Sequence, residues 1–426
     1  MKVQCNLIAR CRGHAIVFTL LTLLSLFLGA LSNQAQSVLY SVTVLGTLPG
    51  GTFSRATAIN NSGEVVGFAS IDDHGDTRAF CYSNGIMTDL GMLPGSTSSY
   101  AEGINSAGQI AGYTVDTNGN FHAFLYSNGA MTDLGVLTNS QNSMATGINS
   151  GGQVVGYAWT SSIFKHGFLY TSGAMVDLGA LNPAASAAYG INDDGQIVGY
   201  SAVNSNGLEQ AVLFSGGTIT NLGGLVAGQS SCANAINHGG QVVGYAVGSN
   251  GIVHPFRYDH GQMTDLGMPP GASACQATGI NASGQVVGFA NAASSLVFLY
   301  AGGTMTDVSQ LIPSTYSSWT LDGIPAGIND SGQIACTGFN GLADLALLLT
   351  PVSVKIIAAD IMSSNVVLSC STAVDFLHDV QSTTNLISAP WSTVVSNVMG
   401  SGVVMNYTNV GGVPVSPKFY RIVVHQ

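Results

Sequence analysis

Charged residues are scarce in this 426-residue chain, making up 7% of it, against roughly 25% in an ordinary soluble domain. Cations are scarcest, with 10 Lys and Arg against 21 Asp and Glu and a net charge of −11. A protein that grips a phosphate backbone needs many Lys and Arg to displace its counterions, so nucleic acid is excluded as an expected partner. Helical pattern is missing too, since no run joins a 3.6-residue apolar period to helical length. So are three familiar catalytic signatures: the sequence holds no Gly-x-Ser-x-Gly, His-Glu-x-x-His or Gly-x-x-x-x-Gly-Lys. No Cys-x-x-Cys marks a zinc site, and no cofactor or metal is expected. What the chain does have is 46% apolar residues and 55 glycines. That composition suits a large core and many tight turns.

The N-terminus stands apart. Lys2, Arg10 and Arg12 precede an apolar run from Ala15 to Leu31, and Ala30-Leu31-Ser32 ends it with small residues, with Ala35 and Ser37 just beyond. A basic start, an apolar middle and a small-residue end read as a secretory signal peptide over residues 1–35. The rival reading is an uncleaved membrane anchor, because the run is only a little short of a span. No later stretch is long and apolar enough to cross, so no membrane span is expected after cleavage. Cleavage would remove three basic residues and no acidic one, leaving 7 against 21 and a net of −14. The mature chain is then expected outside the cell or on its surface.

One pattern fills residues 40 to 350: a small residue, Ile-Asn-x-x-Gly, then an apolar pair, as in Ala58-Ile59-Asn60-Asn61-Ser62-Gly63-Glu64-Val65-Val66-Gly67-Phe68. The Asn recurs at 60, 105, 149, 192, 237, 281 and 329, at intervals of 45, 44, 43, 45, 44 and 48. Seven copies at such a period indicate propeller blades or a related array. Each copy holds four strand-like runs parted by turn residues; in the second they are Ala101–Asn105, Gln109–Val115, Phe121–Ser127 and Ala130–Leu134. Asn105 and Gly108 suit the ends of a type I turn, and Asn118-Gly119 and Asn128-Gly129 signal hairpins. The strands are apolar in both phases, as blades covered on both faces require. Gly67, Gly112, Gly156, Gly199, Gly244 and Gly288 recur inside second strands, where Gly marks close approach; Cys336 replaces them in the seventh copy. That copy ends after its third strand, near Leu345–Thr350. Ser41-Val42-Thr43-Val44-Leu45-Gly46 precedes the first copy and supplies the missing strand. The expected fold is all-β: a seven-bladed β-propeller of four-stranded blades over residues 38–350, closed by an N-terminal strand so that no sheet edge is left open.

Ala/Gly-Ile-Asn-x-x-Gly-Gln-Val-Val-Gly-Tyr, then His122-Ala123-Phe124, then Asp133-Leu134-Gly135 resembles the bacterial extracellular HAF-repeat family. The triplet drifts to Arg78-Ala79-Phe80, His166-Gly167-Phe168, Gln210-Ala211-Val212, His254-Pro255-Phe256 and Leu296-Val297-Phe298, and departs further at Leu345-Ala346-Leu347. The resemblance covers about three quarters of the chain and implies an exported protein. It brings no established activity. Residues 352–426 lack the repeat. Val380–Leu386, Pro390-Trp391 and Phe419–Ile422 resemble a small C-terminal β-sandwich of fibronectin type III-like kind.

The repeated Asn and Asp positions read as turn and blade bonding, because each recurs in an identical setting. His122, His166 and His254 share one repeat position and stand on separate blades, too far apart for one metal. Asp72–Asp76 and Asp116–Asn120 are oxygen-rich hairpin loops that lack the full calcium-loop pattern. Cys232 and Cys275 fall at similar heights in adjacent units. They are either a disulfide or two small core residues. Binding residues are expected on the blade-to-blade loops, since loops on a rigid scaffold commonly carry function. There Phe53, Arg55, Tyr100, Glu102, Tyr189, Tyr316, Trp319 and Asp322 form the candidate set. Aromatic rings beside carboxylates suit a polysaccharide or a protein partner. The expected function is binding through that face. An extracellular polysaccharide lyase or hydrolase using the same face is the alternative, with Glu102, Asp322 and Arg55 as its acid–base groups, and a purely structural spacer is the third. Oligomeric state is not legible in the sequence. N-terminal sequencing of the exported protein should find a start at Asn33, Gln36 or Val38; retention of Met1 would sustain the anchor reading.

Overall fold

A computed structural model describes residues 2–7 and 38–425, apart from segments at 160–163, 183–184, 293–294, 322–325, 353–355, 363–364, 372–375, 384–391, 401–403 and 410–418. The chain divides into two compact units. One holds Val42–Gln310 and Ser318–Thr350; the other holds Met1–Ser41, Leu311–Ser317 and Pro351–Gln426.

The larger unit is an all-β, seven-bladed propeller, and among its described residues there is no α-helix. Blades 1 to 6 are four-stranded antiparallel meanders paired in chain order, such as Ser143–Ile148, Val154–Trp159, Lys165–Thr171 and Ala174–Asp177 in blade 3. In blade 7, Ile334–Phe339 pairs with Thr320–Leu321 and Gly327–Ile328 on one side and with Asp344–Pro351 on the other. Tyr40–Val44 lies next to Asp344–Pro351 in the same sheet, and the Leu45 N–H donates to the Ala346 carbonyl at 2.9 Å. The core is packed blade against blade. Phe80, Phe124, Phe168, Phe256 and Phe298, the third residues of the drifting triplet, are each fully buried. Each contributes roughly 1.5–3 kcal/mol of apolar burial.

The repeated Asn does more than build its turn. In every blade its Oδ1 accepts the backbone N–H four residues on, as from Glu64, Gln109 and Gln153. Its Nδ2 donates to that residue's side-chain oxygen and also to the carbonyl of the Asn in the next blade. These inter-blade bonds run 60→105→149→192→237→281→329→60 at 2.9–3.2 Å. All seven Asn are 2–5% exposed, so the ring of bonds is shielded from water.

Two small-residue positions serve this ring. The first strand of each of blades 1 to 6 has a register shift, as between Ala145 and Gly147. Opposite that bulge, a Cβ on Gly67, Gly112, Gly156, Gly199, Gly244 or Gly288 would stand 1.9–2.1 Å from a first-strand carbonyl oxygen. In blade 7 the described pairs on either side of Thr337 and Cys336 are Leu321 with Gly338 and Gly327 with Ala335. The small residue before Ile-Asn lets neighbouring first strands touch: a Cβ on Gly103 would lie 3.2 Å from Gly147 Cα.

A second inter-blade bond involves Ser. The hydroxyls of Ser54, Ser99, Ser143, Ser186 and Ser231 accept a backbone N–H from the third strand of the preceding blade, at 2.9–3.0 Å. Cys275 holds this position in blade 6, facing Pro255 of blade 5, which has no N–H to give. Cys232 and Cys275 are both free thiols, which corrects the disulfide expected as one option. Cys232 is one position further along its strand than the Ser site, and successive strand residues face opposite ways. Cys275 packs with Val243, Leu266 and Phe298.

The smaller unit contains two antiparallel sheets. One orders Lys2–Leu7, Phe419–His425, Leu377–Thr383 and Ser392–Met399; the other orders Ile356–Met362, Asn365–Ser371 and Val404–Asn409. Leu368 of the second sheet and Val380, Ile422 and Val424 of the first share one buried cluster with Leu39, Val352 and Phe376. Most of the expected signal segment, residues 8–35, lies outside the described residues.

Asn149→Ala removes an acceptor and a donor at a buried site, so we expect a loss of about 2–4 kcal/mol. Asn149→Asp keeps the acceptor but sets an oxygen against the Asn192 carbonyl. Urea unfolding should show both variants destabilised and neither near wild type.

Candidate functional site

The repeat leaves one further recurring residue, an aromatic directly after the second-strand Gly: Phe68, Tyr113, Tyr157, Tyr200, Tyr245 and Phe289. It stands opposite the first half of the first strand, as Tyr157 does opposite Met144. That is the end of the blade away from the Asn turn. Non-repeating aromatics fill the gaps between blades there. Nine rings follow one another without a break: Phe53, Phe68, Tyr100, Tyr113, Phe121, Trp159, Tyr157, Tyr189 and Tyr200, with centroids 4.9–6.4 Å apart. Tyr100 stacks on Tyr113, and Phe121 stacks on Trp159. The first eight rings keep part of their surface in solvent, and Tyr200 at the end is buried. Lys165 holds its ammonium 4.5 Å from the Tyr157 centroid and 5.4 Å from that of Trp159. The arc spans blades 1 to 4, and Tyr245 of blade 5 packs in the same cluster as Tyr200.

Glu102 lies among these rings on the first strand of blade 2. Burial pushes its carboxyl from 4.5 up to about 7, although the residue keeps some solvent access. Its charge acts on Tyr113 and Tyr157, whose phenols are raised first by their own burial. Burial also pushes the Cys232 thiol up to about 12, so it is no nucleophile at neutral pH.

A cleft of about 430 Å³ opens between blades 1 and 7, where the arc begins. Thr52, Phe53, Arg55 and Phe68 line one side; Phe339, Leu342, Ala343 and Asp344 line the other. Arg55 is held by an ion pair to Asp344, and Leu342 at the mouth is 91% exposed.

The structure thus brings Phe53, Tyr100, Glu102 and Tyr189 together in or beside the arc and places Arg55 in the cleft. Trp319 packs over Gly338 of blade 7. Tyr316 belongs to the smaller unit, and Asp322 lies outside the described residues. Attention to blade-to-blade loops missed Phe68, Tyr113, Phe121, Tyr157, Trp159, Lys165 and Tyr200, which stand on second and third strands. The signal was present, since an aromatic follows the second-strand Gly in six of seven units.

The remaining polar candidates are engaged within their own blades. His166 and His254 bond Asp177 and Asp265 at 2.9 and 2.8 Å, and each Asp accepts the N–H of the Gly two residues on. In blade 4 the pair becomes Gln210 and Asn221 with the same geometry. Asp72 and Asp116 accept backbone N–H groups of their own loops. Among the described residues no cluster of three His, Cys, Asp or Glu could hold a metal.

No family model and no curated protein matches the chain. Among solved structures it is similar to a gluconolactonase from Xanthomonas campestris, at 9% identity and TM-score 0.36 over 73% of this chain and 89% of that one. It is also similar to TolB from Acinetobacter baumannii, at 11% identity and TM-score 0.39 over 71% and 65%. A third likeness is the Aleuria aurantia lectin solved with Fucα1-6GlcNAc, at 15% identity and TM-score 0.32 over 71% and 96%. Likenesses this distant carry no argument about ligand or activity.

A carboxyl whose pKa is raised by folding binds its proton more tightly in the folded chain. The contribution of Glu102 to stability is therefore greatest below about pH 4.5 and is lost as pH rises to about 7, by on the order of 3 kcal/mol. Glu102→Gln should flatten that fall when unfolding free energy is measured from pH 4 to 8; an unchanged slope would place the carboxyl in water.

Proposed function

We propose that this chain is an exported binding protein that takes a polysaccharide along the aromatic arc of its propeller. The observation that carries the reading is the unbroken succession of nine rings over four blades. Sugar rings stack their C–H faces on aromatic rings, and such an arc offers successive stacking places to a chain of sugars. The phenols and Glu102 supply hydrogen bonds between those places. The low cation count argues for a neutral or basic glycan over a strongly acidic one.

Export rests on the leader and on the HAF-repeat resemblance. On this reading the pairing of Lys2–Leu7 with Phe419–His425 belongs to the unprocessed chain. The bonding of Tyr40–Val44 beside Asp344–Pro351 supports an N-terminal strand that closes blade 7. The shared cluster of the two C-terminal sheets supports a fibronectin-like sandwich.

One observation favours catalysis as a second reading. A carboxyl held at about 7 by burial is suited to give or take a proton at neutral pH, as a lyase or hydrolase at this face would need. A glycan array with the mature protein separates the two. Under the binding reading, Tyr113→Ala and Trp159→Ala each weaken a captured glycan about tenfold, and the glycan is recovered intact. Shortening of the glycan, abolished in Glu102→Gln, would establish the enzyme instead.

A further inference from the structure

The aromatic arc already holds an ammonium group, and it is the chain's own. Lys165 reaches across the Tyr157 ring at 4.5 Å and lies 5.4 Å from Trp159. Two ring faces at those distances attract a cation. Acidic side chains reinforce the place: burial raises the Glu209 carboxyl and the charge of Lys165 draws it back down, and Glu102 acts on Tyr157 from the neighbouring blade. The net charge of −11 adds long-range attraction for cations. A neutral sugar needs none of this, and an acidic sugar would meet Glu102 and Glu209.

Resting on the reading of the arc as a polysaccharide surface, we infer that Tyr157 and Trp159 form a subsite for the ammonium group of an amino sugar, which Lys165 fills while no ligand is bound. The side chain is a tethered competitor. A polymer rich in free amino groups displaces it, and its N-acetylated counterpart, which has no cation, does not.

The probes are a glucosamine hexamer and its N-acetylated form, titrated calorimetrically into the full exported protein. Lys165→Ala should tighten the glucosamine hexamer by roughly tenfold and the acetylated hexamer, which gains only the uncovered ring faces, by far less. Lys165→Gln, with a similar reach and no charge, should do the same. Trp159→Ala should weaken the glucosamine hexamer in both backgrounds. Weaker or unchanged glucosamine binding in both Lys165 variants overturns the inference, and so does a wild type that ignores the glucosamine hexamer. Arc-dependent capture of other glycans in that last case would leave the polysaccharide reading standing. Loss of all glycan binding would remove both.

Discussion

Seven buried asparagines hold the propeller by one hydrogen bond repeated around a ring. Each amide donates to the carbonyl of the next Asn, and the series returns from Asn329 to Asn60. The same side chain accepts a backbone N–H of its own turn, so each turn's shape and the spacing between blades are set by one group. Removing a member strands a buried carbonyl and a buried N–H together, which is why the arrangement is cooperative. Bulged first strands, second-strand glycines and the small residue before Ile-Asn follow from it. They bring neighbouring first strands close enough for a short amide to bridge.

Exceptions within the repeat confirm which positions are coupled. Gln210 and Asn221 replace the His and Asp of other blades and keep the bond. Cys275 stands where other blades have Ser, opposite Pro255, which lacks the N–H that Ser accepts. Each exception involves both partners, so these residues are explained by blade packing. That frees function from the most repetitive residues. The arc arises where a repeated aromatic is joined by non-repeating ones: Phe53, Tyr100, Phe121, Trp159 and Tyr189.

The blade count, the turn role of the Asn and the strand order of each unit were legible in the chain because they depend on residues within one repeat. Phe53, Tyr100, Glu102 and Tyr189 were legible as candidates because they break the repeat near the blade junctions, and the structure places them in or beside the arc. Tyr113 and Tyr157 were not, since a residue that recurs at one strand position looks like packing until its neighbours are known. Trp159 and Lys165 stand at the ends of adjacent strands in blade 3, paired directly across the sheet. Only the tertiary structure shows the rings that surround them.

Local bonding is written into covalent order. A turn closed over four residues and a strand of fixed period act within a few residues of one another, and the sequence by itself determined them. Contacts between blades join residues 19 to 48 positions apart, and 269 or 292 where the ring closes, at distances in space that no spacing along the chain states. Tertiary structure alone decided that the Asn amides reach across blades, that Cys232 and Cys275 stay apart, and that nine rings from four blades make one surface. The physical reason is the closure of the ring: curvature, not sequence distance, sets which side chains meet.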